Sequence, residues 1–417
     1  MKRRDWIGGL LATGLTDLPL WADSPRLTPL PPLSQADSDP EAYWKRLRIE
    51  QFVLPERRAF LNTGTLGVAP KPVLQATIDY LLRSAELTVD ELPRWGGEPL
   101  DELRMELARF TGCNKDELTL THNTTEAMNI VANGLDLKPG DEVLRTDQEH
   151  PGGTYCWEQK AARFGIATRV AKIPVPPKSA GDVAQAIVSS FGPRTRVVSF
   201  SGFTTETGLL LPIREIADAA RSRGIVSVVD GAHMPGQAAM DLRNLGCDYL
   251  AASPHKWMLT PAGCGFLYGR AGMLDRLWAN VATYNWDNRG LKGARLMMVG
   301  TNNAAIFRGY QAALRFFEQI GPERIYNRIH SLAREAYVRA SKLPNVRMLT
   351  PEDDSLYRGM VTFGIPGVDL RKLNTAFKKK AIWIVPGEDR VRVSCHIHTR
   401  PEDLDLFFRT VHEGLKT

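Results

Sequence analysis

Short apolar runs alternate with amphipathic segments through most of the chain. Several runs are apolar at successive positions, which is typical of parallel strands that are buried on both faces of a sheet. The predicted strands are Leu118–Thr121, Glu142–Arg145, Ala167–Val170, Arg196–Phe200, Ile225–Val229, Tyr249–Ala252 and Gly265–Gly269. Polar residues follow many of these runs, and they are the first candidates for a binding site.

Segments with helical periodicity separate the predicted strands. They lie near Glu126–Leu135, Tyr155–Phe164, Val183–Phe191, Ile213–Ser222 and Met273–Asn280. The alternation predicts an α/β fold, with a doubly wound and mainly parallel sheet that helices cover on both faces.

The alternation of strands and helices ends at two long helices, which are predicted near 303–319 and 322–343. Short strands and helices then predict a small α+β C-terminal domain. We expect residues 70–314 to form the large domain, and residues 46–69 and 315–417 to form the small one. Residues 23–45 are rich in Pro, Ser and Asp and are predicted to be a linker.

The first 22 residues resemble a twin-arginine export signal. Residues 2–7 (Lys-Arg-Arg-Asp-Trp-Ile) precede a weakly hydrophobic stretch that is too short to span a bilayer. We therefore expect a periplasmic protein that is exported by the twin-arginine translocase and is not stably inserted in a membrane. Asp17 interrupts the apolar stretch, so a basic tail on a cytoplasmic protein is the alternative.

The amino-acid composition argues against several classes of protein. The chain has 417 residues, of which 24% are charged and 43% hydrophobic, as in ordinary globular proteins. The net charge is +6 and no long Lys/Arg run occurs, so no nucleic-acid partner is expected. The chain contains no CxxC pair, and neither a metal site nor a disulfide framework is predicted from its five cysteines, Cys113, Cys156, Cys247, Cys264 and Cys395.

Asp230 and Lys256 stand at or just beyond the ends of two predicted strands. Open α/β sheets bind ligands at the carboxyl ends of their strands. A lysine and an aspartate there suit pyridoxal 5'-phosphate (PLP): the lysine forms a Schiff base with the aldehyde, and the aspartate keeps the pyridine nitrogen protonated. A nicotinamide enzyme is not supported, because no GxGxxG motif follows the first strands.

An ordered set of motifs resembles the class V aminotransferase family of PLP enzymes, which has fold type I. The set is Thr-Thr-Glu at 124–126, Glu-His at 149–150, Asp-Gly-Ala-His at 230–233, Ser-Pro-His-Lys at 253–256 and Gly-Thr-Asn-Asn at 300–303. The resemblance runs from about Phe60 to the C-terminus. It is greatest to isopenicillin N epimerase-like proteins, and cysteine desulfurases belong to the same family.

The resemblance implies a phosphate site at the start of a helix. Thr124 and Thr125 open that helix, where free backbone N–H groups bind anions. Ser253 and His255 are further candidate phosphate contacts. A simple N-cap is the alternative interpretation of the threonines.

Three residues are expected around the cofactor ring. His150 would stack on the ring and is a candidate proton relay, although a surface histidine is the alternative. Thr205 stands where desulfurases commonly carry Asn, and His233 stands where they carry Gln. Both are therefore candidates to contact the phenolic oxygen of PLP.

The substrate side is also implied by the resemblance. Arg392 matches the arginine that binds the substrate α-carboxylate, and Asn62 and Thr65 would lie nearby. Thr301 would reach the phosphate of a neighbouring subunit, which implies a homodimer with shared active sites. Arg390 and Arg400 are expected to face solvent instead.

The reaction is less determined than the cofactor. Residues 350–391 contain no cysteine, which disfavours a cysteine desulfurase. Aminotransferase chemistry on a small-molecule or peptide substrate is expected first, with an epimerase or a C–S or C–N lyase as the alternative.

An exported relative that modifies the glutamate of a siderophore precursor in pyoverdine maturation suggests a glutamyl substrate. A non-catalytic binding protein on a PLP fold is a further alternative. The presence of Lys256, Asp230, His150 and Arg392 together argues against it.

Overall fold

The computed structural model describes residues 27–86, 98–384 and 386–415. Its α-helices are α1 (Leu33–Ser38), α2 (Pro40–Gln51), α3 (Lys71–Glu86), α4 (Glu98–Thr111), α5 (Thr124–Gly134), α6 (Pro151–Phe164), α7 (Ala180–Val188), α8 (Ile213–Arg221), α9 (Leu242–Leu245), α10 (Gly293–Leu296), α11 (Ala304–Ile320), α12 (Pro322–Ala340), α13 (Asn374–Lys379) and α14 (Pro401–Gly414). Its strands are β1 (Ala59–Phe60), β2 (Leu118–Thr121), β3 (Glu142–Thr146), β4 (Ala167–Ala171), β5 (Thr195–Ser201), β6 (Val226–Asp230), β7 (Tyr249–Ala252), β8 (Gly265–Gly269), β9 (Arg347–Met348), β10 (Met360–Gly364), β11 (Ile382–Trp383) and β12 (Val391–Ser394).

The main sheet has the strand order β2-β8-β7-β6-β5-β3-β4. The pairs from β7 through β6, β5 and β3 to β4 are parallel. Strand β8 is antiparallel to both of its neighbours, so β2 runs in the same direction as β7. Every strand of this sheet except β8 therefore ends at the same edge.

Two apolar clusters cover the two faces of this sheet. Successive strand residues point to opposite faces, so Val228 and Tyr249 pack in one cluster while Val229 and Leu250 pack in the other. All four side chains are fully buried. The expected α/β fold with a mainly parallel, doubly covered sheet is confirmed.

A third cluster forms the core of the C-terminal α+β part. The antiparallel sheet β12-β10-β9 and the parallel pair β1-β11 contribute to it, and helices α12 and α14 pack against it. Leu61 joins this cluster, because β1 pairs with β11 from the other end of the chain. The N-terminal segment thus becomes part of the same packing unit as the C-terminal strands.

The linker predicted over 23–45 is wrong for much of its described part. Helix α2 begins within that range, with Pro40 in its first turn and the Asp39 side chain accepting a hydrogen bond from the backbone N–H of Ala42. Tyr43 and Trp44 are buried in the main core. The proline favours a helix start at this position rather than a linker.

The helix predicted at Met273–Asn280 is also wrong, because the segment forms only a short 3-10 turn at Leu274–Arg276. The Arg295 guanidinium donates hydrogen bonds to the carbonyl oxygens of Leu274 and Leu277, at 3.1 and 2.8 Å. These carbonyls are satisfied from another part of the chain instead of by a following helical turn.

The predicted export signal, residues 1–22, lies outside the described residues. Within the described ranges, no helix has the length and apolar character needed to cross a bilayer.

Two buried histidines follow β12. The rings of His396 and His398 stack with centroids 5.6 Å apart, and His398 meets Phe52 and Phe60 edge-on. Both histidines are fully buried. Burial lowers the pKa of His396 to about 4 and lowers the pKa of His398 well below its ordinary value. Both rings are therefore neutral in the folded protein at pH 7.

The two rings predict acid-labile stability. The unfolded chain binds protons on these histidines below about pH 6.5, whereas the folded protein does not. Their contribution to the free energy of unfolding is complete above that pH and is lost as the pH falls toward 4. Each ring costs up to about 1.4 kcal/mol per pH unit in this window. Urea unfolding at a series of pH values between 7 and 4 measures the slope.

The matched variant is His398→Phe, which keeps a ring among Phe52, Phe60 and His396 but removes one titrating group. Its free energy of unfolding should depend less steeply on pH than that of the wild type. Equal slopes would contradict the assignment of acid lability to this histidine.

Candidate active site at the strand edge

Most of the predicted cofactor-binding residues lie at the common edge of the parallel strands. Asp230 is the last residue of β6, and Ser253 directly follows β7 with Lys256 three residues later. His150 follows β3 and is the N-cap of α6. Because these strands run in one direction, side chains that are far apart in the sequence meet at this edge.

Asp230 is a buried carboxylate. Only 5% of it is exposed, and its Oδ1 accepts a hydrogen bond of 3.0 Å from the backbone N–H of Ala232. Burial raises its pKa, while that hydrogen bond and the charge of Lys256 oppose the rise. A buried carboxylate of this kind is stabilised by a cationic partner, and a pyridinium nitrogen fits that need.

A glycine leaves room beside this carboxylate. A Cβ atom on Gly153, in the first turn of α6, would stand 2.5 Å from Oδ2 of Asp230. The absence of a side chain at this position keeps Oδ2 accessible within the site.

Lys256 is half-buried, and its Nζ lies 3.1 Å from Nε2 of His233. Its pKa is lowered to about 8, first by burial and also by the charge of Arg392, while Asp230 acts in the opposite direction. A lysine with this pKa has an appreciable uncharged fraction near neutral pH. Only the uncharged amine is a nucleophile or a base.

His233 connects several predicted site residues. It is 1% exposed, and besides Lys256 its Nε2 faces Oγ1 of Thr205 at 3.2 Å. Its Nδ1 accepts a hydrogen bond from the indole N–H of Trp257, also at 3.2 Å. The structure therefore brings Thr205 and His233 together beside the lysine, as their predicted role at one cofactor oxygen requires.

The start of α5 joins the end of β7 in the predicted phosphate region. The Thr124 backbone N–H donates to Oγ of Ser253 at 2.9 Å, and the two hydroxyl oxygens are 2.8 Å apart. The N-cap of α5 is Asn123, whose side chain accepts from the Glu126 backbone N–H. Thr124 and Thr125 are thus in the first turn and are not the cap, and Thr125 is exposed.

His255 is more restricted than the sequence suggested. Its Nδ1 lies 3.0 Å from the carbonyl oxygen of Cys264, which fixes the neutral ring with its proton on Nδ1. Burial lowers its pKa. The ring therefore donates to a phosphate from Nε2 only when it is protonated, and the negative charge of a phosphate would favour that form.

His150 is exposed, unlike Asp230 and His233. Its Nδ1 accepts a hydrogen bond of 3.0 Å from the Gly152 backbone N–H, which caps α6. Burial of the ring's inner part and the charge of Lys256 lower its pKa, so the ring is neutral at pH 7. A neutral, accessible imidazole is available to cover a bound cofactor ring.

Arg392 meets the N-terminal loop as predicted. Its guanidinium donates to the Thr205 carbonyl oxygen at 3.0 Å, to Thr65 Oγ1 at 2.9 Å and to Asn62 Oδ1 at 3.3 Å. These acceptors are all neutral. Among the residues that the structure describes, no carboxylate lies within 4.0 Å of the half-buried Arg392 guanidinium, so its charge is available to an anionic group.

The neighbouring arginines differ from Arg392 in this respect. Arg390 pairs with Glu206 at 3.1 Å, and Arg400 pairs with Asp403 at 2.6 Å. Both are half-buried rather than fully solvent-facing, which corrects the expectation. Their charges are already compensated, so Arg392 is the better anion site.

Thr301 lies in the loop before α11 and is exposed. The neighbouring Asn302 contacts the large-domain site region, since its Nδ2 is 2.7 Å from Nε2 of His122. The predicted role of Thr301 at a second subunit's phosphate remains a prediction.

Two further residues near the site were given no role in the sequence analysis. Glu149 accepts hydrogen bonds from the hydroxyls of Thr146 and Ser201, and burial raises its pKa to about 7. The available signal was an acidic residue next to His150 just after a predicted strand.

Gln237 is the other missed residue and is fully buried. Its Nε2 donates to the His233 carbonyl oxygen at 2.6 Å, and its Oε1 accepts from the Gly359 backbone N–H at 2.8 Å. It links the residues after β6 to the start of β10. Its position four residues after His233 was the only sequence clue.

The cysteines do not supply a reactive thiolate. Four are buried and Cys113 is half-buried. Burial raises the pKa of each thiol, to about 11 for Cys113 and to about 12 for Cys156, Cys247 and Cys264, and also raises that of Cys395. Within the described part of the chain, no group of three or more His, Cys, Asp or Glu side chains is placed to hold a metal ion.

Comparison with known proteins identifies related enzymes. The profile of the family described as aminotransferase class V matches residues 60–407. Isopenicillin N epimerase of Streptomyces clavuligerus is 32% identical over 386 residues, which cover 87% of this chain and 96% of that protein. A cysteine desulfurase of Haloferax volcanii is 27% identical over 348 residues, covering 79% of this chain and 80% of that protein.

Two solved structures are also similar to this chain. The cystine C–S lyase C-DES in complex with its reaction product cysteine persulfide is 26% identical, with a TM-score of 0.77, over 86% of this chain and 98% of that one. A C-DES mutant with glycine covalently linked to its PLP cofactor is equally similar, over 86% of this chain and 100% of that one.

The space beside Asp230 gives a testable prediction. Gly153→Ala places a methyl group against Oδ2 and should displace the carboxylate, weakening PLP binding by about tenfold or more, or roughly 1.4 kcal/mol. Titration of the cofactor-free full-length protein with PLP, followed by absorbance, measures the affinity. Gly181→Ala is the control, because a Cβ there would have its nearest neighbour at 3.7 Å. Equal affinities in the two variants would contradict the role of this space.

Proposed function

Because this chain belongs to the aminotransferase class V family of PLP-dependent enzymes, we propose that it uses PLP to transfer the α-proton of an amino acid. The observation that carries the proposal is the meeting of three side chains at the strand edge. Lys256 has a lowered pKa, Asp230 is a buried carboxylate, and Arg392 is a guanidinium with neutral partners.

These residues fit PLP. Asp230 would hold the pyridine nitrogen, while Thr124, Ser253 and the N-terminus of α5 would hold the phosphate. His150 would cover the ring from the open side. When bound, PLP supplies an electron sink for the electrons released at the α-carbon.

Lys256 carries the proton transfer. As an uncharged amine it accepts the α-proton, and as an ammonium it returns a proton to the substrate. Its pKa of about 8 allows both forms near neutral pH. His233 holds the amine in position from one side, and Thr205 contacts the same ring nitrogen of His233.

Arg392 would bind the substrate carboxylate through a bidentate pair of hydrogen bonds. Its present partners Asn62 and Thr65 are neutral, so the carboxylate would be the first anion to join the guanidinium. We propose an amino acid, or the glutamyl moiety of a peptide or siderophore precursor, as the substrate. The glutamyl assignment rests on the resemblance to an exported relative.

Aminotransferase-type chemistry is our first proposal, since the same proton shuttle by Lys256 serves it without a further nucleophile. Epimerisation is the second candidate, and the 32% identity to an isopenicillin N epimerase favours it.

A persulfide-forming desulfurase is disfavoured, because burial raises the pKa of every cysteine thiol. Other C–S or C–N lyase reactions remain outcomes of the test.

We further propose that the protein works in the periplasm as a homodimer. The paired arginines before a weakly hydrophobic stretch support twin-arginine export, which would follow folding around PLP in the cytoplasm. The exposed Thr301 supports a site completed by a second subunit.

Proton exchange in D₂O tests the reaction. Wild-type protein with PLP should incorporate deuterium at the α-carbon of its substrate, with L-glutamate and a glutamyl peptide tried first. Lys256→Ala should lower the rate by about 10²-fold or more, because the base is lost. Mass spectrometry with chiral chromatography measures both the label and the configuration.

The products separate the alternatives. A keto acid identifies transamination, an inverted and deuterated amino acid identifies epimerisation, and loss of a side-chain fragment identifies a lyase. Exchange that persists in Lys256→Ala would contradict the role of the lysine. PLP binding without exchange in any candidate substrate would favour a non-catalytic protein.

The carboxylate site predicts a contrast between two arginines. Arg392→Gln should raise the KM for the substrate by about ten- to a hundredfold, since a charge-assisted hydrogen-bond pair is worth roughly 1.5–3 kcal/mol. Arg390→Gln is the matched control, because Arg390 is already paired with Glu206. Steady-state kinetics would reject the assignment if Arg390→Gln had the larger effect.

Export has a separate test. The double variant Arg3→Lys/Arg4→Lys should remain in the cytoplasmic fraction, whereas the wild-type protein should reach the periplasmic fraction. Arg57→Lys/Arg58→Lys repeats the same change at the next paired arginines and should not affect export. A wild-type protein confined to the cytoplasm would contradict the periplasmic proposal.

A further inference from the structure

Trp257 makes a directional contact with the site. Its indole Nε1 lies 3.2 Å from Nδ1 of His233. An indole nitrogen donates a hydrogen bond and cannot accept one. His233 Nδ1 must therefore be the acceptor and carries no proton in this arrangement.

The direction of that bond determines the other side of the imidazole ring. His233 is 1% exposed, and its burial lowers its pKa well below the ordinary value. The ring is therefore neutral. Its single proton then lies on Nε2, which is 3.1 Å from Nζ of Lys256 and 3.2 Å from Oγ1 of Thr205. An Nε2–H group donates to the lysine only when the amine is uncharged, because an ammonium has no lone pair.

We propose that Trp257 is a positioning residue that sets the tautomer of His233 and thereby favours the uncharged, nucleophilic form of Lys256. A hydrogen bond to the neutral form of a group disfavours its charged form. The opposite tautomer, with the proton on Nδ1, would accept from the ammonium and would favour the charged form instead.

The indole itself is held from the C-terminal part of the chain. The indole ring is fully buried and stacks on His396, with ring centroids 5.9 Å apart. The backbone carbonyl oxygen of Trp257 also lies 2.8 Å from Nε2 of His396. A Cβ atom on Gly359 would stand 2.4 Å from the ring. The small-domain residues therefore leave the indole little room to turn away from His233.

Other charges also act on this pair and do not replace the indole. Asp230 on β6 favours the charged lysine, whereas Arg392 on β12 disfavours it. Positive charge on His150, after β3, or on His255, after β7, would lower the pKa of His233. None of these groups contacts Nδ1 of His233 among the described hydrogen bonds, so the tautomer depends on Trp257.

The proton position is measured directly by ¹⁵N NMR. Full-length protein labelled with ¹⁵N-histidine would be measured as purified and again after removal of PLP. His233→Gln identifies the His233 signals among the eight histidines. The wild-type ring should be neutral with its proton on Nε2. A proton on Nδ1 or a charged ring would overturn the proposal without any Trp257 variant.

Trp257→Phe tests the consequence for the lysine, since it keeps an aromatic ring but removes the N–H donor. In the cofactor-free full-length protein, the pH profile of Lys256 acylation, read by peptide mass spectrometry, gives its pKa. That pKa should rise from about 8 toward its ordinary value, and a rise of one unit corresponds to an about tenfold slower acylation at pH values well below 8. An unchanged profile with a folded protein would overturn the proposal.

Trp278→Phe is the control for loss of a tryptophan, because its indole binds Asp136 on the surface. It should change neither the His233 signals nor the Lys256 profile. The catalytic meaning of the contact rests on the proposed function, but both readouts are made without substrate. A failure to bind PLP would therefore refute the proposed function and leave this test intact.

Discussion

The common direction of the parallel strands is the constraint on which the site depends. Strands β2, β3, β5, β6 and β7 all end at one edge of the main sheet, and each is followed by a polar segment. Residues more than a hundred positions apart, such as Thr124 and Ser253, are hydrogen-bonded there. Apolar clusters pack on both faces of the sheet and hold the strands that carry the site residues.

The C-terminal part completes the site from the other side. It contributes Arg392 from β12, and it holds Trp257 through His396 and Gly359. The charged substrate group and the lysine would thus be held by two different packing units. A fixed carboxylate would keep the α-carbon in position while the proton moves at the lysine.

The parts of the fold that follow from local pattern were predictable from the sequence. Apolar runs located the parallel strands, and Asp230 and Lys256 were recognisable because each comes at or just after such a run. Helix α2 was missed because prolines near it suggested a linker, although burial of Trp44 stabilises it. The helix predicted at 273–280 does not form, because Arg295 binds carbonyl groups of this segment. Arg295 is distant in the sequence, so the local pattern could not reveal this contact. The orientation of His233 was equally inaccessible, since it depends on a contact 24 residues away.

Chemical trapping of PLP on Lys256 tests the central claim most directly. Wild-type full-length protein would be incubated with PLP, reduced with borohydride to lock any bond to a lysine, digested and analysed by mass spectrometry. We predict a single phosphopyridoxyl adduct on Lys256, and none at any position in Lys256→Ala. An adduct on a different lysine, or no adduct in a protein that is folded and saturated with PLP, would contradict the account.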